Sequence, residues 1–178
     1  RSIQRSGNGL LTIINDILDF SKIEAGKLEL DSHEFNLRNT IEDITELLAE
    51  SAHQKDVDLL SVLPLIPELL IKSDETRIRQ VLLNLVGNAI KFTEKGEVVL
   101  RVDCLHVNDA SLNLRFSIVD TGIGMSATQK QEIFAAFSQA DSSTTRRYGG
   151  TGLGLAISSK LVSLLGGELS VQSETNQG

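Results

Sequence analysis

Tryptophan is absent from this 178-residue chain, and cysteine, methionine and tyrosine occur once each. A lone cysteine closes no internal disulfide, so the fold depends on its core. Cys104 lies in a strand-like run and reads as a buried structural thiol suited to a reducing compartment. Aromatic residues make up only 4% of the chain, too few for a platform that stacks single-stranded nucleic acid. Positive charge is also in deficit, with 17 Lys and Arg against 24 Asp and Glu. The resulting −7 argues against a general nucleic-acid surface, which wants a basic face. No apolar run approaches the ~20 residues of a membrane span. The chain opens on a helical pattern rather than on a basic head, apolar core and cleavage site, and the expectation is a cytoplasmic setting.

What is present is ordinary globular material, 40% apolar and 23% charged, long enough for one well-buried domain with a small appendage. Residues 1–27 read as a helix whose stripe of Ile3, Leu10, Ile13, Ile14, Ile17, Leu18 and Phe20 needs a partner, with Gly26 ending it. A strand is expected over 28–35. Asn36 is a candidate N-cap for a helix over 37–55, and strands follow at 57–63 and 69–72, separated by a loop holding Pro64 and Pro67. Ser73-Asp74 caps a strong helix to Phe92. Strands at 97–107 and 111–120 are joined by a hairpin at Asn108-Asp109-Ala110. A short helix over 127–137, a polar stretch to Tyr148, a helix over 152–165 and a strand over 168–173 complete the pattern. Strands and helices are intermixed with short links, which predicts an α+β fold with a mixed or antiparallel sheet.

Three segments carry chemistry. On the helix after Asp74, Ile78, Val81, Leu82, Leu85 and Ala89 form a core face. Arg77, Gln80, Asn84, Asn88 and Lys91 form a second, polar stripe. A solvated face explains Arg77 and Gln80 equally well. Two asparagines one turn apart are less expected there, because Asn is a mediocre helix former, and its carbonyl is a hard neutral donor suited to a hydrated Mg²⁺. The second segment is Asp120-Thr121-Gly122-Ile123-Gly124. Alternation of Leu112, Leu114, Phe116 and Ile118 places Asp120 on the apolar side, where its carboxylate requires a donor such as an adenine amino group. The competing reading ends the strand earlier and makes Asp120 a turn residue. The third is Gly149-Gly150-Thr151-Gly152-Leu153-Gly154, whose bare amides and helix start suit a polyphosphate. It is preceded by Ser142 to Arg147, either a cationic lid or a solvated loop. No Gly-Lys-Ser/Thr follows, so it is not a Walker loop. Gly122 to Ala127 matches G-x-G-x-x-A, but no second parallel strand with an acidic end follows, which disfavours a dinucleotide site.

With these segments placed, the whole chain resembles the catalytic region of sensor histidine kinases, particularly hybrid ones, within the GHKL (Bergerat-fold) ATPases. Asn84-Leu-Val-Gly-Asn88-Ala-Ile-Lys91-Phe-Thr is similar to the N box, Asp120 to Gly124 to the G1 box, Ile133 to Gln139 to the F box, and Gly149 to Leu155 to the G2 box. The resemblance implies a two-layer α/β sandwich, a mixed sheet backed by three helices and preceded by a long helix. It makes 1–27 the second helix of a dimerisation and phosphoacceptor hairpin, and 28–178 an ATP-binding kinase domain short of its last strand. It also implies ATP and Mg²⁺ as cofactors. Asn88 becomes the metal ligand, with Asn84 beside it and Lys91 towards the phosphates. Asp120 takes the adenine amino group, with Gly122 and Gly124 shaping that wall. Phe137, Gly150, Thr151, Gly152, Leu153 and Gly154 complete the nucleotide set, and Arg146 or Arg147 reaches the γ-phosphate.

The activity so implied is transfer of that phosphoryl group to a hairpin histidine and its relay to a response-regulator aspartate. The intact protein is expected to be a homodimer whose membrane anchoring the sequence leaves open. Ser32-His33-Glu34 imitates the start of the family's H box, but Phe35-Asn36-Leu37 departs from what should follow. His33 is therefore read as a surface residue and the phosphoacceptor as absent from the chain. The alternative function is a nucleotide-gated module that binds ATP without phosphoryl transfer. A gyrase- or MutL-type ATPase is disfavoured because it expects an acidic base where Asn84 stands.

Overall fold

The computed structural model describes residues 2–66, 68–107, 112–134, 152–175 and 178, with backbone only at 2–6, 8–9, 12–13 and 106–107. Its elements are α1 (Ser2–Glu24), β1 (His33–Asn36), α2 (Leu37–His53), β2 (Val57–Val62), β3 (Leu70–Ser73), α3 (Glu75–Phe92), β4 (Gly96–Val107), β5 (Leu112–Asp120), α4 (Ala127–Glu132) and α5 (Gly154–Leu164). They fall into two compact units. One comprises residues 1–30 and 131–169, the other 31–130 and 170–178.

The second unit is built on a sheet of order β2-β4-β5, in which β2 runs parallel to β4 and β4 antiparallel to β5. The sheet is thus mixed and the fold α+β, as the alternation of elements predicts. On β4, Val98, Leu100 and Val102 are buried while Glu97 and Arg101 face outward, the period-2 signature of a half-covered strand. Ile41 and Ile44 of α2 and Leu82, Val86, Ala89 and Ile90 of α3 close over that face as one core cluster. Burying a Leu or Ile side chain contributes ~1.5–3 kcal/mol, so this layer dominates the unit's stability. Cys104 closes the inward row but is only half-buried, where the β4–β5 ladder shifts register between Cys104 and His106.

Capping sets where the helices begin. Asn36 accepts from the Arg38 amide at 3.0 Å and starts α2. Asp74, buried, accepts from the Arg77 amide at 3.0 Å through Oδ1 and from the Asp31 amide at 3.0 Å through Oδ2. That second bond explains one correction. The strand expected over 28–35 forms only at His33–Asn36, paired antiparallel with β3, because the Asp31 amide goes to the α3 cap and not to a ladder. A second correction concerns 168–173, where no strand forms. There Ser173 accepts from Lys130 Nζ at 2.8 Å through its carbonyl and from the Met125 amide at 2.8 Å through its hydroxyl. The helix expected over 127–137 is seen as α4, started by a reciprocal capping box between Ser126 and Gln129. It ends at Glu132 and residues 133–134 are already a turn, so the helix is shorter than the expected 127–137, while residues 135–137 and the 108–110 hairpin lie outside the described residues.

In the first unit, α1 and α5 pack together. Lys160 pairs with Glu24 and its Nζ lies 5.7 Å from the Phe20 ring centroid. Gly26, at φ +63°, ends α1 as the sequence predicts. Leu10, Ile14, Ile17 and Leu18 of the α1 stripe remain exposed. No described helix is long and apolar enough to cross a membrane.

Candidate functional site

The polar stripe of α3 survives folding as a distinct face. Arg77 Nη1 donates to Gln80 Oε1 at 2.8 Å, and Asn88 Nδ2 donates to Asn84 Oδ1 at 3.3 Å. All five stripe residues are half-buried. With the Asn88 amide nitrogen committed to Asn84, Asn88 Oδ1 is the atom left to meet a cation. Among the described residues no group of three His, Cys, Asp or Glu could hold a metal. A neutral amide oxygen such as Asn88 Oδ1 is a donor that suits Mg²⁺ keeping most of its waters.

Lys91 closes the stripe. Its Nζ lies 4.9 Å from the Phe92 ring centroid, a cation–π distance. Burial lowers its pKa below the ordinary lysine value. A nearby anion would offset that desolvation and favour the charged form.

The C-terminal turn of α3 is finished with unusual completeness. A helix leaves its last four carbonyls without intrahelical partners. Here the Ala89 carbonyl accepts from the Thr93 amide and hydroxyl at 3.0 and 2.8 Å. Those of Ile90 and Lys91 each accept from Lys55 Nζ at 2.7 Å. The Phe92 carbonyl accepts from the Ile123 amide at 3.3 Å. The last bond joins α3 to the Asp120–Gly124 turn.

That turn upholds the strand reading of Asp120 and corrects the one that ends the strand earlier, although Asp120 also makes a turn bond. β5 extends through Asp120, whose ladder partner is Val98, a fully buried residue, so the carboxylate stands on the helix-facing side and is half-buried. Its Oδ1 also accepts from the Gly122 amide at 2.9 Å, an Asx-type turn. Oδ2 remains available for an exocyclic amine. Gly122 is required by space. A Cβ there would stand 2.7 Å from both Asp120 Oδ1 and the Phe92 carbonyl oxygen. Gly124 is required by conformation, at φ +61°. Thr121 fixes the turn to β4, its amide donating to the Glu97 carbonyl at 3.2 Å while its hydroxyl accepts from the Glu97 amide at 3.0 Å. A recess lined by Glu94, Lys95, Thr121, Gly122 and Ile123 lies beside it.

Of the predicted site residues, the second unit thus brings together Asn84, Asn88 and Lys91 on one helix and Asp120, Gly122 and Gly124 on a turn bonded to that helix's end. Gly152, Leu153 and Gly154 belong to the first unit. Gly152 adopts φ +71°, and Leu153 is buried and serves as the α5 N-cap without a side-chain cap bond. Phe137, Arg146, Arg147, Gly150 and Thr151 lie outside the described residues. His33 is exposed, with Nδ1 3.2 Å from the Asp31 carbonyl oxygen, a surface position as expected. Sequence reasoning missed Lys55, Thr93 and Thr121. The Thr121 and Lys55 contacts reach backbone 24 and 36 residues away, for which a residue's own neighbours give no signal, whereas Thr93 bonds back one turn to Ala89.

Residues 73–178 match the family model of histidine kinase-, DNA gyrase B- and HSP90-like ATPases. Over 177 residues and 99% of its length the chain is 48% identical to the sensor protein GacS of Pseudomonas syringae pv. syringae. It is 47% identical, over 99% of its length, to the signal transduction histidine-protein kinase BarA of Escherichia coli K12. It spans only 20% and 19% of those two proteins. Among solved structures it superposes on full-length ShkA in complex with AMPPNP with a TM-score of 0.82 at 36% identity, over 99% of this chain and 35% of that one. On the histidine kinase ThkA in complex with the response regulator TrrA the TM-score is 0.71 at 26% identity, over 98% of this chain and 46% of that one. The chain belongs to the histidine kinase-, DNA gyrase B- and HSP90-like ATPases, as a catalytic domain of the sensor histidine kinase kind.

Proposed function

We propose that the chain binds ATP with Mg²⁺ and, in the intact protein, presents the γ-phosphoryl group to a histidine on a dimerisation hairpin for relay to a receiver aspartate. The observation that carries this reading is the bonding of the Asp120–Gly124 turn to the C-terminal end of α3, which unites an adenine acceptor with a metal and phosphate stripe. Asp120 accepts from the adenine amino group and discriminates against a base that presents a carbonyl there. Asn88, supported by Asn84, is the protein ligand to Mg²⁺, and Lys91 meets the phosphates. Arg146 or Arg147 approaches the γ-phosphoryl group, Phe137 contributes to nucleotide binding, and Gly150, Thr151, Gly152, Leu153 and Gly154 supply phosphate-facing backbone. These last assignments rest on motif alone.

Bound Mg²⁺ supplies charge neutralisation across the phosphates. In the transfer, an imidazole nitrogen forms a bond to the γ-phosphorus as the bond from that phosphorus to the bridging oxygen breaks, ADP leaves, and the ring's other N–H proton is given up to water or to a base beside the histidine. The domain contributes positioning and electrostatic stabilisation, with no covalent intermediate on its own side chains. Residues 1–27 are assigned to the second hairpin helix, and the exposed Leu10, Ile14, Ile17 and Leu18 support a partner helix there and, with it, a homodimer in the intact protein. A cytoplasmic setting is part of the same proposal. Residues 28–178 form the ATP-binding domain. GacS and BarA are named as sensor and signal-transduction proteins, ShkA was crystallised with an ATP analogue and ThkA with a response regulator, all of which favour the same role.

The test mixes the chain with a separate protein carrying the whole hairpin, and γ-labelled ATP. Label on the hairpin histidine is expected. Tight ATP binding with no label would instead identify a nucleotide-gated module.

A further inference from the structure

Lys55 stands outside every motif of the nucleotide site. It follows α2 in the tight turn that leads into β2, where its amide donates to the Ala52 carbonyl at 3.0 Å and Asp56 takes a left-handed φ of +52°. This conformation is uncommon outside glycine but tolerated by Asp, and it turns the chain sharply before the buried Val57. The half-buried Lys55 side chain crosses to α3 and places one ammonium at 2.7 Å from two successive carbonyl oxygens, Ile90 and Lys91.

Those carbonyls belong to the turn that carries the site. Lys91 itself projects from it. The next carbonyl, Phe92, receives the Ile123 amide and forms one wall of the space that Gly122 occupies. A cation at a helix C-terminus also opposes the partial negative charge there. Burial lowers the Lys55 pKa, partly offset by the nearby Glu94 carboxylate. The group is therefore held at a desolvation cost that its two hydrogen bonds must repay.

We propose that Lys55 is a positioning residue for nucleotide binding: by fixing the Ile90 and Lys91 carbonyls it sets where the Lys91 ammonium and the Asp120–Gly124 turn stand. The inference rests on the ATP-site reading above. Lys55 touches no nucleotide in this scheme and acts through the backbone of α3.

The test measures Mg·ATP affinity by calorimetry on the full chain for wild type, Lys55→Met, Lys55→Gln and Lys55→Arg, with Val57→Ala as a purely structural control. Amide hydrogen exchange at Thr93 and Ile123 is followed in parallel. Losing two charge-assisted bonds predicts an ATP dissociation constant raised about ten-fold or more in Lys55→Met. The Thr93 and Ile123 amides should exchange faster in that variant while amides in β1 and β3 stay unchanged. Lys55→Gln, which keeps an uncharged amide N–H donor, should lose less, and Lys55→Arg should recover most of the affinity. Val57→Ala should lower the melting temperature without moving the dissociation constant of the folded fraction. If Lys55→Met does not fold, Lys55→Gln carries the comparison. ATP affinity within two-fold of wild type with unchanged exchange at Ile123 overturns the role of Lys55 and leaves the site reading intact. Absence of ATP binding by the wild-type chain overturns the site reading itself.

Discussion

In the proposed function Asp120 does two things with one carboxylate: Oδ1 holds the Gly122 amide, and the other oxygen is proposed to meet the base. An Asn in its place keeps the turn, because its carbonyl can still accept from Gly122, but it turns an amide nitrogen towards the base. Asp120→Asn is therefore expected to retain folding while discrimination between ATP and GTP falls by about ten-fold or more, the scale of one hydrogen bond to a charged group. Competition binding with both nucleotides checks this, and an unchanged preference would refute the adenine role. Lys91 gives a second expectation at this scale. Its pKa is depressed by burial in the nucleotide-free protein, and a polyphosphate beside it favours the charged form and so raises it. Between the two values, binding must take up a proton. Affinity consequently falls as pH rises through the nucleotide-free pKa of Lys91. Calorimetry in buffers of different ionisation enthalpy reads the uptake directly, and Lys91→Met should abolish it. Persistence of the same uptake in that variant would assign it elsewhere.

At the scale of elements, the α2 and α3 N-caps look alike in sequence and differ in what they hold. The Asn36 side chain accepts from one amide, that of Arg38. Asp74 accepts from Arg77 at the start of α3 and from Asp31 at the approach to β1, and it is buried. Removing Asn36 costs one cap, about 1 kcal/mol. Asp74→Ala loses a cap and also strands the Asp31 amide, which adds roughly 1–3 kcal/mol if that amide cannot reach water. Urea denaturation should accordingly show Asp74→Ala about 2–4 kcal/mol less stable than wild type and clearly worse than Asn36→Ala. Equal losses would mean that the Asp31 contact contributes nothing. The caps themselves were legible in the sequence, because an Asx residue directly before an amphipathic run is a local signal. The second partner of Asp74 was not, since 43 residues separate it from Asp31.

Across the whole molecule the same division recurs. Alternation along β5 foretold which way Asp120 faces, and the three- and four-residue spacing along α3 foretold the Asn84–Asn88–Lys91 stripe, because both patterns are written in consecutive residues. The 168–173 segment reads as a strand by its residues, yet it forms none, and Ser173 at its end bonds instead to Lys130 and Met125, more than 40 residues away. Lys55 was invisible for the same reason. The polar cluster that ties β1, α2 and α3 together belongs with these long-range features, and it governs how the second unit meets acid. Glu75 accepts from Thr40 Oγ1 at 2.9 Å and from Arg79 at 3.2 Å, Arg79 also pairs with Asp43 at 2.9 Å, and His33 Nε2 lies 3.7 Å from the Glu75 carboxylate. Burial pushes the Glu75 pKa up, but the bonds from Thr40, Arg79 and His33, with the Arg79 charge, outweigh it and leave the carboxyl below its ordinary value. A carboxyl whose pKa is lower folded than unfolded contributes stability that is complete above the unfolded pKa and is lost as pH falls through the folded one. The unit should thus weaken on acidification below the usual carboxylate range. Thr40→Val, which deletes one bond and leaves Arg79 in place, should lower stability at neutral pH and flatten the acid limb. Melting temperatures recorded from neutral pH down through that range decide the matter: parallel curves for Thr40→Val and wild type would place the acid-sensitive carboxylate outside this cluster.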